Sequence, residues 1–369
     1  MGSERSHCQS RMLKAGRRFN LFRAQDSGLT SGKEQRTVNA VRGTTRNVYP
    51  MMASLIPLVR ALGLVAAANI LARRKLGFAR AIAVRLGPGK EQAKLRPCDS
   101  DLFVASQIFG TREYDLGADI TKILNLVSSA WLDEGIQPLI IDGGANVGYS
   151  SIFFSSTYPT AKVIALEVEP QTYAMLEANV SHHPNVSPRL AALWSHDRGV
   201  SLMLGSKRSW SNFVTDKPSS HELTPSVRLD QLVGTNERVL LIKLDIEGSE
   251  REVCSTSREV LRSSPVIVIE PHDWMLPGKA CLAPLLSALE GQDRDIIISG
   301  ENLVILDKAI TVAASKNISA RIRAGPQLED SQADYRVIHR RLADSELTDA
   351  PLCPSGRPMG QDQGYFAQA

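Results

Sequence analysis

Cysteine is scarce and scattered. The five residues, Cys8, Cys98, Cys254, Cys281 and Cys353, are odd in number and contain no C-x-x-C pair. This excludes a disulfide framework and a structural zinc site, and it makes a reducing compartment the default. Acidic residues are nearly missing from the first quarter, where residues 1–98 hold 4 Asp+Glu against 19 Lys+Arg. The rest of the chain reverses the balance, with 35 acidic and 24 basic residues, so the net charge of +4 hides a split. An acidic body grips a phosphate backbone poorly, and no nucleic-acid partner is expected. A long uninterrupted apolar run is also absent. Residues 55–72 come nearest, but Arg60 and Asn69 interrupt them. A spanning helix wants ~20 apolar residues, and a central Arg costs about 2.5–3.5 kcal/mol. There is no internal repeat. What remains is 369 residues, 43% hydrophobic and 22% charged. That is ample for one large domain with extensions, or two domains, and excludes a wholly disordered chain, a collagen-like chain and a coiled-coil rod.

Four stretches follow from composition. Residues 1–50 are rich in Arg, Ser, Thr, Gln and Asn and read as a disordered basic leader. Translation starting at Met51 or Met52 would leave them unmade. Residues 51–98 form a basic, amphipathic extension. Its apolar part, within 51–85, suits a helix packed on the protein, an interfacial helix on a membrane, or a targeting leader. Residues 99–310 hold the main domain, and 311–369 a C-terminal helix and a mobile tail. A cytoplasmic location is the default, with a membrane-associated or organelle-targeted N-terminus as the alternatives.

Within the main domain, helix-like and strand-like segments alternate. Helical spacing covers 116–132, 147–158, 172–180, 249–262 and 282–289. Short apolar runs predict strands at 139–141, 162–166, 189–194, 239–244, 265–269, 296–298 and 303–306. Such alternation predicts an α/β fold, a parallel doubly wound sheet with helices on both faces. Residues 195–236 fit it least, and read either as loop plus hairpin or as a lid over a ligand pocket.

The first motif is Asp142-Gly143-Gly144-Ala145-Asn146-Val147-Gly148, which follows a strand and opens a helix. Its glycines at 143, 144 and 148 let the backbone turn and approach a ligand, and the helix beyond offers free N–H groups. An acid opens the loop and no basic residue lies near it. A pyrophosphate is ill-served there, whereas a cationic ligand with an amino-acid moiety, such as S-adenosylmethionine, is well served. Glu167 ends the second strand, 25 residues after Asp142, where an acid accepts hydrogen bonds from both hydroxyls of an adenosyl ribose. Glu169, two residues on, is the weaker candidate.

Asp245, Glu247 and Glu250 follow the strong run VLLIKL. Ligands of open α/β sheets bind outside the carboxyl ends of the strands, which puts Asp245 where donor and acceptor meet. Asp245 or Glu247 can orient or deprotonate an acceptor hydroxyl, or hold a hard divalent cation through oxygen. Carboxylates alone do not single out a metal, and none is assigned. Glu250 in a first helical turn suits the helix dipole. Glu270 and His272 follow the next strand, and His272 is a candidate general base. Gly300-Glu301-Asn302-Leu303 adds a further polar wall.

In order, SDLFVASQIFGTREYDL, IIDGGANVGYSS, VIALEVEP with LEANV, VRLDQL, LIKLDIEGSE, IVIEPH and GENLVIL resemble the FkbM-type S-adenosylmethionine-dependent methyltransferases over residues 99–307. The resemblance implies a seven-stranded Rossmann-like methyltransferase sheet and methyl transfer, usually to an oxygen of a small molecule, sugar or polyketide-type product. It places Asp142, Gly144, Asn146 and Gly148 on the cofactor loop, Glu167 on the ribose and Asp245, Glu247 and Glu250 by the active site. Many members read E-P after the second strand, where this chain reads Glu167-Val168-Glu169-Pro170. S-adenosyl-L-methionine is thus the expected cofactor, and a small molecule or glycan the expected partner. The rival readings are a non-catalytic cofactor-binding scaffold and, on the same fold, a nicotinamide-dependent oxidoreductase.

Overall fold

The computed structural model describes residues 49–203, 213–215, 223–274 and 276–324. The basic leader over 1–50, except its last two residues, and the tail from 325 lie outside those residues.

Seven strands form the central sheet. They are β1 (Gln137–Gly143), β2 (Lys162–Glu167), β3 (Val186–Leu190), β4 (Glu237–Leu244), β5 (Val266–Ile269), β6 (Arg294–Ser299) and β7 (Asn302–Asp307). Their spatial order is 3-2-1-4-5-7-6. Strands β1 to β5 run parallel, and β7 is antiparallel to both β5 and β6. This is the Rossmann-like sheet that the resemblance implies, a mixed sheet rather than the all-parallel one read from alternation. The strand order reverses between β1 and β4, the place where open α/β sheets leave a crevice for a ligand.

Strand periodicity of two explains why both faces are covered. On one side Ile140, Val163, Ala165, Val266, Val268 and Leu306 enter a core cluster. That cluster is shared with helices α1 (Tyr49–Leu62), α2 (Leu64–Leu76), α3 (Ala118–Asp133), α4 (Tyr149–Thr157) and α5 (Pro170–Val180). On the other side Leu139, Ile141, Ile164, Ile242, Leu244, Ile267 and Ile269 meet α6 (Glu250–Thr256), α7 (Arg258–Ser263) and α8 (Ala283–Ala288). Helix α9 (Lys308–Ala324) returns to the first face through Ile310 and Ala313. A bulge at Val239/Leu241 puts Leu240 and Leu241 on the same side of β4.

Three segments depart from the sequence expectation. The helix expected over 249–262 breaks at Ser257 (φ −120°, ψ 30°) into α6 and α7. The break lets Val253, Cys254 and Leu261 all face the sheet. The strand expected at 189–194 is β3 at 186–190. Residues Ala192–Leu193 leave the sheet and pair in parallel with Ser226–Val227. The loop-or-lid segment 195–236 lies partly outside the described residues. Its described part pairs Ser201–Met203 with Phe213–Thr215 in a short antiparallel ribbon.

At the N-terminus, helices α1 and α2 bend by 116° across Gly63. Among the described residues no single helix is long and apolar enough to cross a membrane. Leu58, Ala61, Leu62, Ala67 and Ile70 are buried in the first core cluster, so one side of this pair packs on the domain. Leu64 and Val65 stay exposed at its bend. Residues 101–111 wind as a short helix and a π-type turn packed on α1, ending at Arg112 in the left-handed region (φ 60°). That exit brings Glu113 and Tyr114 beneath the carboxyl ends of the strands, close to Asp245 and Lys243.

Candidate active site

A cleft opens at the carboxyl ends of β1, β2 and β4. It is lined in part by Gly144, Asn146, Glu167, Glu169, Asp245 and Glu247. Val214, from the otherwise poorly alternating segment, closes one side.

The acid that opens the glycine loop does not line this cleft. Asp142 is fully buried. Its Oδ2 accepts hydrogen bonds from the hydroxyls of Ser150 (2.7 Å) and Ser151 (2.6 Å) in the first turn of α4, and its Oδ1 lies 3.3 Å from the ammonium of Lys243. Lys243 is its parallel cross-strand neighbour on β4. The same ammonium donates to the carbonyls of Gly143 (3.2 Å) and Gly144 (2.7 Å) and lies 3.7 Å from Asp245. Burial works against the charge, yet Tyr114, Asp142 and Asp245 outweigh it and hold the ammonium above its ordinary value. Asp142 therefore shapes the loop from behind, clamped between a cation and a helix start.

The glycines also act differently from the sequence expectation. A Cβ on Gly144 would sit 1.8 Å from the carbonyl oxygen of Asp245, and its φ is +73°. The missing side chain makes room for the second loop rather than for a ligand. Gly143 and Gly148 likewise face protein atoms, Leu193 and Leu176, and neither lines the cleft.

Glu167 lies at the bottom of the cleft, nearly buried. Its Oε2 accepts from the backbone N–H of Asn146 (2.9 Å), and its Oε1 from those of Val168 (2.9 Å) and Glu169 (2.8 Å). Burial raises its pKa above the ordinary value, and the three N–H donors work against that rise. Glu169 caps α5, with its two oxygens accepting from Gln171 and Thr172. That capping role separates it from Glu167.

Within this frame, residues 142–294 match the family model described as the methyltransferase FkbM domain. Over those residues the chain is similar to an FkbM methyltransferase domain. Methyltransferase 1 of Beauveria bassiana is 26% identical over 139 residues, which cover 31% of this chain and 56% of that protein. Methyltransferase sdnD of Sordaria araneosa is 34% identical over 79 residues, 21% of this chain and 25% of that protein. The chain thus spans about half the length of the first of these relatives and a quarter of the second. Among solved structures, the precorrin-6y C5,15-methyltransferase of Geobacter metallireducens aligns at 18% identity and a TM-score of 0.27, covering 48% of this chain and 83% of that one. Aeropyrum pernix fibrillarin, in complex with natively bound S-adenosyl-L-methionine, aligns at 14% and 0.29, covering 49% and 75%.

S-adenosyl-L-methionine is the cofactor that the resemblance implies, and the cleft suits it on its own chemistry. Among the described residues no Lys or Arg lines it, whereas Glu167, Glu169, Asp245 and Glu247 do. Carboxylates without a basic partner at the surface favour a sulfonium and an ammonium and disfavour a pyrophosphate. Asn146 lines the cleft, and its Oδ1 is buried with no hydrogen-bond partner. Asn146 itself holds a left-handed backbone (φ 52°), a conformation that asparagine tolerates better than most residues.

On the far side of the cleft, the acids of β4, β5 and β7 gather. Glu250, expected simply to favour the helix dipole, is fully buried. Its Oε1 accepts from His272 Nδ1 (2.7 Å) and from the backbone N–H groups of Ile246 (3.4 Å) and Gly248 (3.3 Å). His272 is buried, and its Nε2 faces Glu270 at 3.6 Å and Glu247 at 3.7 Å. Burial pulls the imidazole down, but Glu250, Asp245 and Glu270 raise its pKa to about 9. That direction favours the imidazolium, and Nδ1 is already engaged by Glu250, so both weigh against the base role expected from sequence. Burial, then the charge of Asp245, pushes Glu270 up to about 8. Burial and Glu301 push Glu113 up to about 7.

Sequence reasoning missed Glu113, Tyr114 and Lys243. The first two lie in a block that was legible only as resemblance. Lys243 was signalled, since a lysine inside a buried apolar strand requires a counter-charge.

Proposed function

We propose that this chain transfers a methyl group from S-adenosyl-L-methionine to a hydroxyl oxygen of a sugar, glycan or other small natural product. The observation that carries the reading is the cleft itself, with Glu167 at one end and Asp245 and Glu247 at the other, all at the switch point of the sheet. The bound cofactor supplies an activated methyl group on a sulfonium. The protein's own part is to bind and orient. Glu167 would accept hydrogen bonds from the ribose hydroxyls through lone pairs left beside its three backbone donors. Asn146 would accept through its unpartnered Oδ1. Asp245 and Glu247 would hold the acceptor hydroxyl and take its proton, because both line the cleft and are partly exposed. The acidic lining favours a neutral polyol over a polyanionic acceptor.

Calorimetric titration with S-adenosylhomocysteine, alongside NADH as a control, tests the cofactor assignment. Binding of the first alone is expected. Glu167→Gln should weaken that binding about 10- to 100-fold, the 1.5–3 kcal/mol expected when a charged acceptor is lost. Unchanged affinity would move the ribose contact elsewhere. Asp245→Asn should leave cofactor affinity near wild type while turnover on a responsive acceptor falls roughly 10²- to 10⁴-fold. Equal turnover would take Asp245 out of the reaction.

A further inference from the structure

Asp245, Glu270 and His272 come from the ends of β4 and β5. One ligand atom of each lies within 4.8 Å of the others. A divalent cation bound to three such atoms needs them roughly 3–4.4 Å apart, so small side-chain rotations close the set. Carboxylates gathered at a sheet edge are no evidence of a metal. The histidine adds an independent observation. Its side chain is 2% exposed. Its Nε2 points at carboxylate oxygens 3.6 and 3.7 Å away, beyond hydrogen-bond reach. Its Nδ1 is fixed at 2.7 Å by Glu250, which is itself fully buried and tied to two backbone N–H groups. A buried carboxylate that holds one ring nitrogen and aims the other into a ligand set is how metal-binding histidines are oriented. Glu247 stands beside the set in a left-handed backbone (φ 52°), a conformation costly for a glutamate and concentrated at functional sites.

We propose that Asp245, Glu270 and His272 form a divalent-cation site, oriented by Glu250, that holds the acceptor oxygen during methyl transfer. Its catalytic part rests on the reading given under Proposed function. Two carboxylate oxygens and one imidazole nitrogen suit Mn²⁺ best, with Mg²⁺ weaker and Ca²⁺, which wants six to eight oxygens, weakest. The cation replaces the proton on Nε2 and neutralises the same carboxylates. Asp245 lines the cleft, so an open coordination position faces the acceptor. In the transfer, the acceptor hydroxyl gives its proton to Glu247. A lone pair of its oxygen forms the new C–O bond, and the S–CH₃ bond breaks with its electron pair left on sulfur.

The test is titration of the full chain with MnCl₂, followed by calorimetry and by electron paramagnetic resonance, with and without S-adenosylhomocysteine. One Mn²⁺ per chain is expected, with pulsed spectra showing a coupled imidazole nitrogen that disappears in His272→Gln. Asp245→Asn and Glu270→Gln should each weaken Mn²⁺ at least about 10-fold, and Glu250→Gln by about 10- to 100-fold as an orienting partner. Circular dichroism and retained S-adenosylhomocysteine binding establish that each variant is folded. No saturable Mn²⁺ binding to wild type at millimolar metal, or binding that survives both carboxylate substitutions, overturns the site. Failure of S-adenosylhomocysteine to bind while Mn²⁺ still does overturns the cofactor reading instead, and leaves the cation site standing.

Discussion

Lys243→Met should lose roughly 3–5 kcal/mol of folding stability, read as a shift of the urea midpoint. The substitution keeps the length and apolar stem of a fully buried side chain and removes its charge. Asp142, also fully buried, would keep its two serine donors but lose the ammonium at 3.3 Å. The carbonyls of Gly143 and Gly144 would lose their donor as well. An unpaired buried carboxylate is the costly product, rather than the lost attraction. Asp142→Asn placed in the same chain should therefore recover a large part of the loss, with a coupling energy of about 0.5–3 kcal/mol or more. A single variant within 0.5 kcal/mol of wild type would show that Asp142 finds another partner.

Gly144→Ala should cost roughly 2–5 kcal/mol and lower the affinity for S-adenosylhomocysteine together with stability. Two penalties add. A left-handed backbone costs an alanine about 1–2 kcal/mol, and forcing a methyl into filled space costs about 1–3 kcal/mol. The obstacle is the Asp245 carbonyl oxygen, 1.8 Å from the added carbon, and backbone yields less readily than a side chain. The loop that carries Asp245 must then move away from the loop that carries Asn146. Calorimetric titration and thermal unfolding of the same sample should change in parallel. A drop in affinity with stability intact would return Gly144 to the role of direct ligand contact.

Much of this molecule is legible in its sequence. The apolar runs at 139–141, 162–166, 239–244 and 265–269 are strands because both faces of each are covered, and the Gly-rich turn after the first could hardly serve another element. The sharp departures share one cause. Local pattern does not record which distant segment a residue meets. Residues 192–193 look like more of the third strand until Pro225 and Val227 capture their backbone and that of Trp194. Glu250 looks like an ordinary first-turn acid until His272, 22 residues on, docks against it. Asp142 looks like a ligand contact because it opens a loop, yet its place on a buried strand next to Lys243 turns it inward. Lys243 itself was written plainly into an apolar run, and its partner could have been inferred from the cost of leaving it alone.

The clamp on Asp142 also bears on the order in which the chain can fold. Its serines are eight and nine residues away, but the lysine that donates to Gly143 comes exactly one hundred residues later. Emerging from a ribosome, β1, β2 and β3 and their helices are complete before β4 exists, and in that interval the acid lacks its cation. The first half of the sheet is therefore expected to remain loose, its β1 edge unpaired, until residues 237–244 pair with that edge. Addition of this strand couples the birth of the cofactor pocket to the growth of the sheet, and it makes β4 the step that a slow-folding or chaperone-dependent variant would reveal.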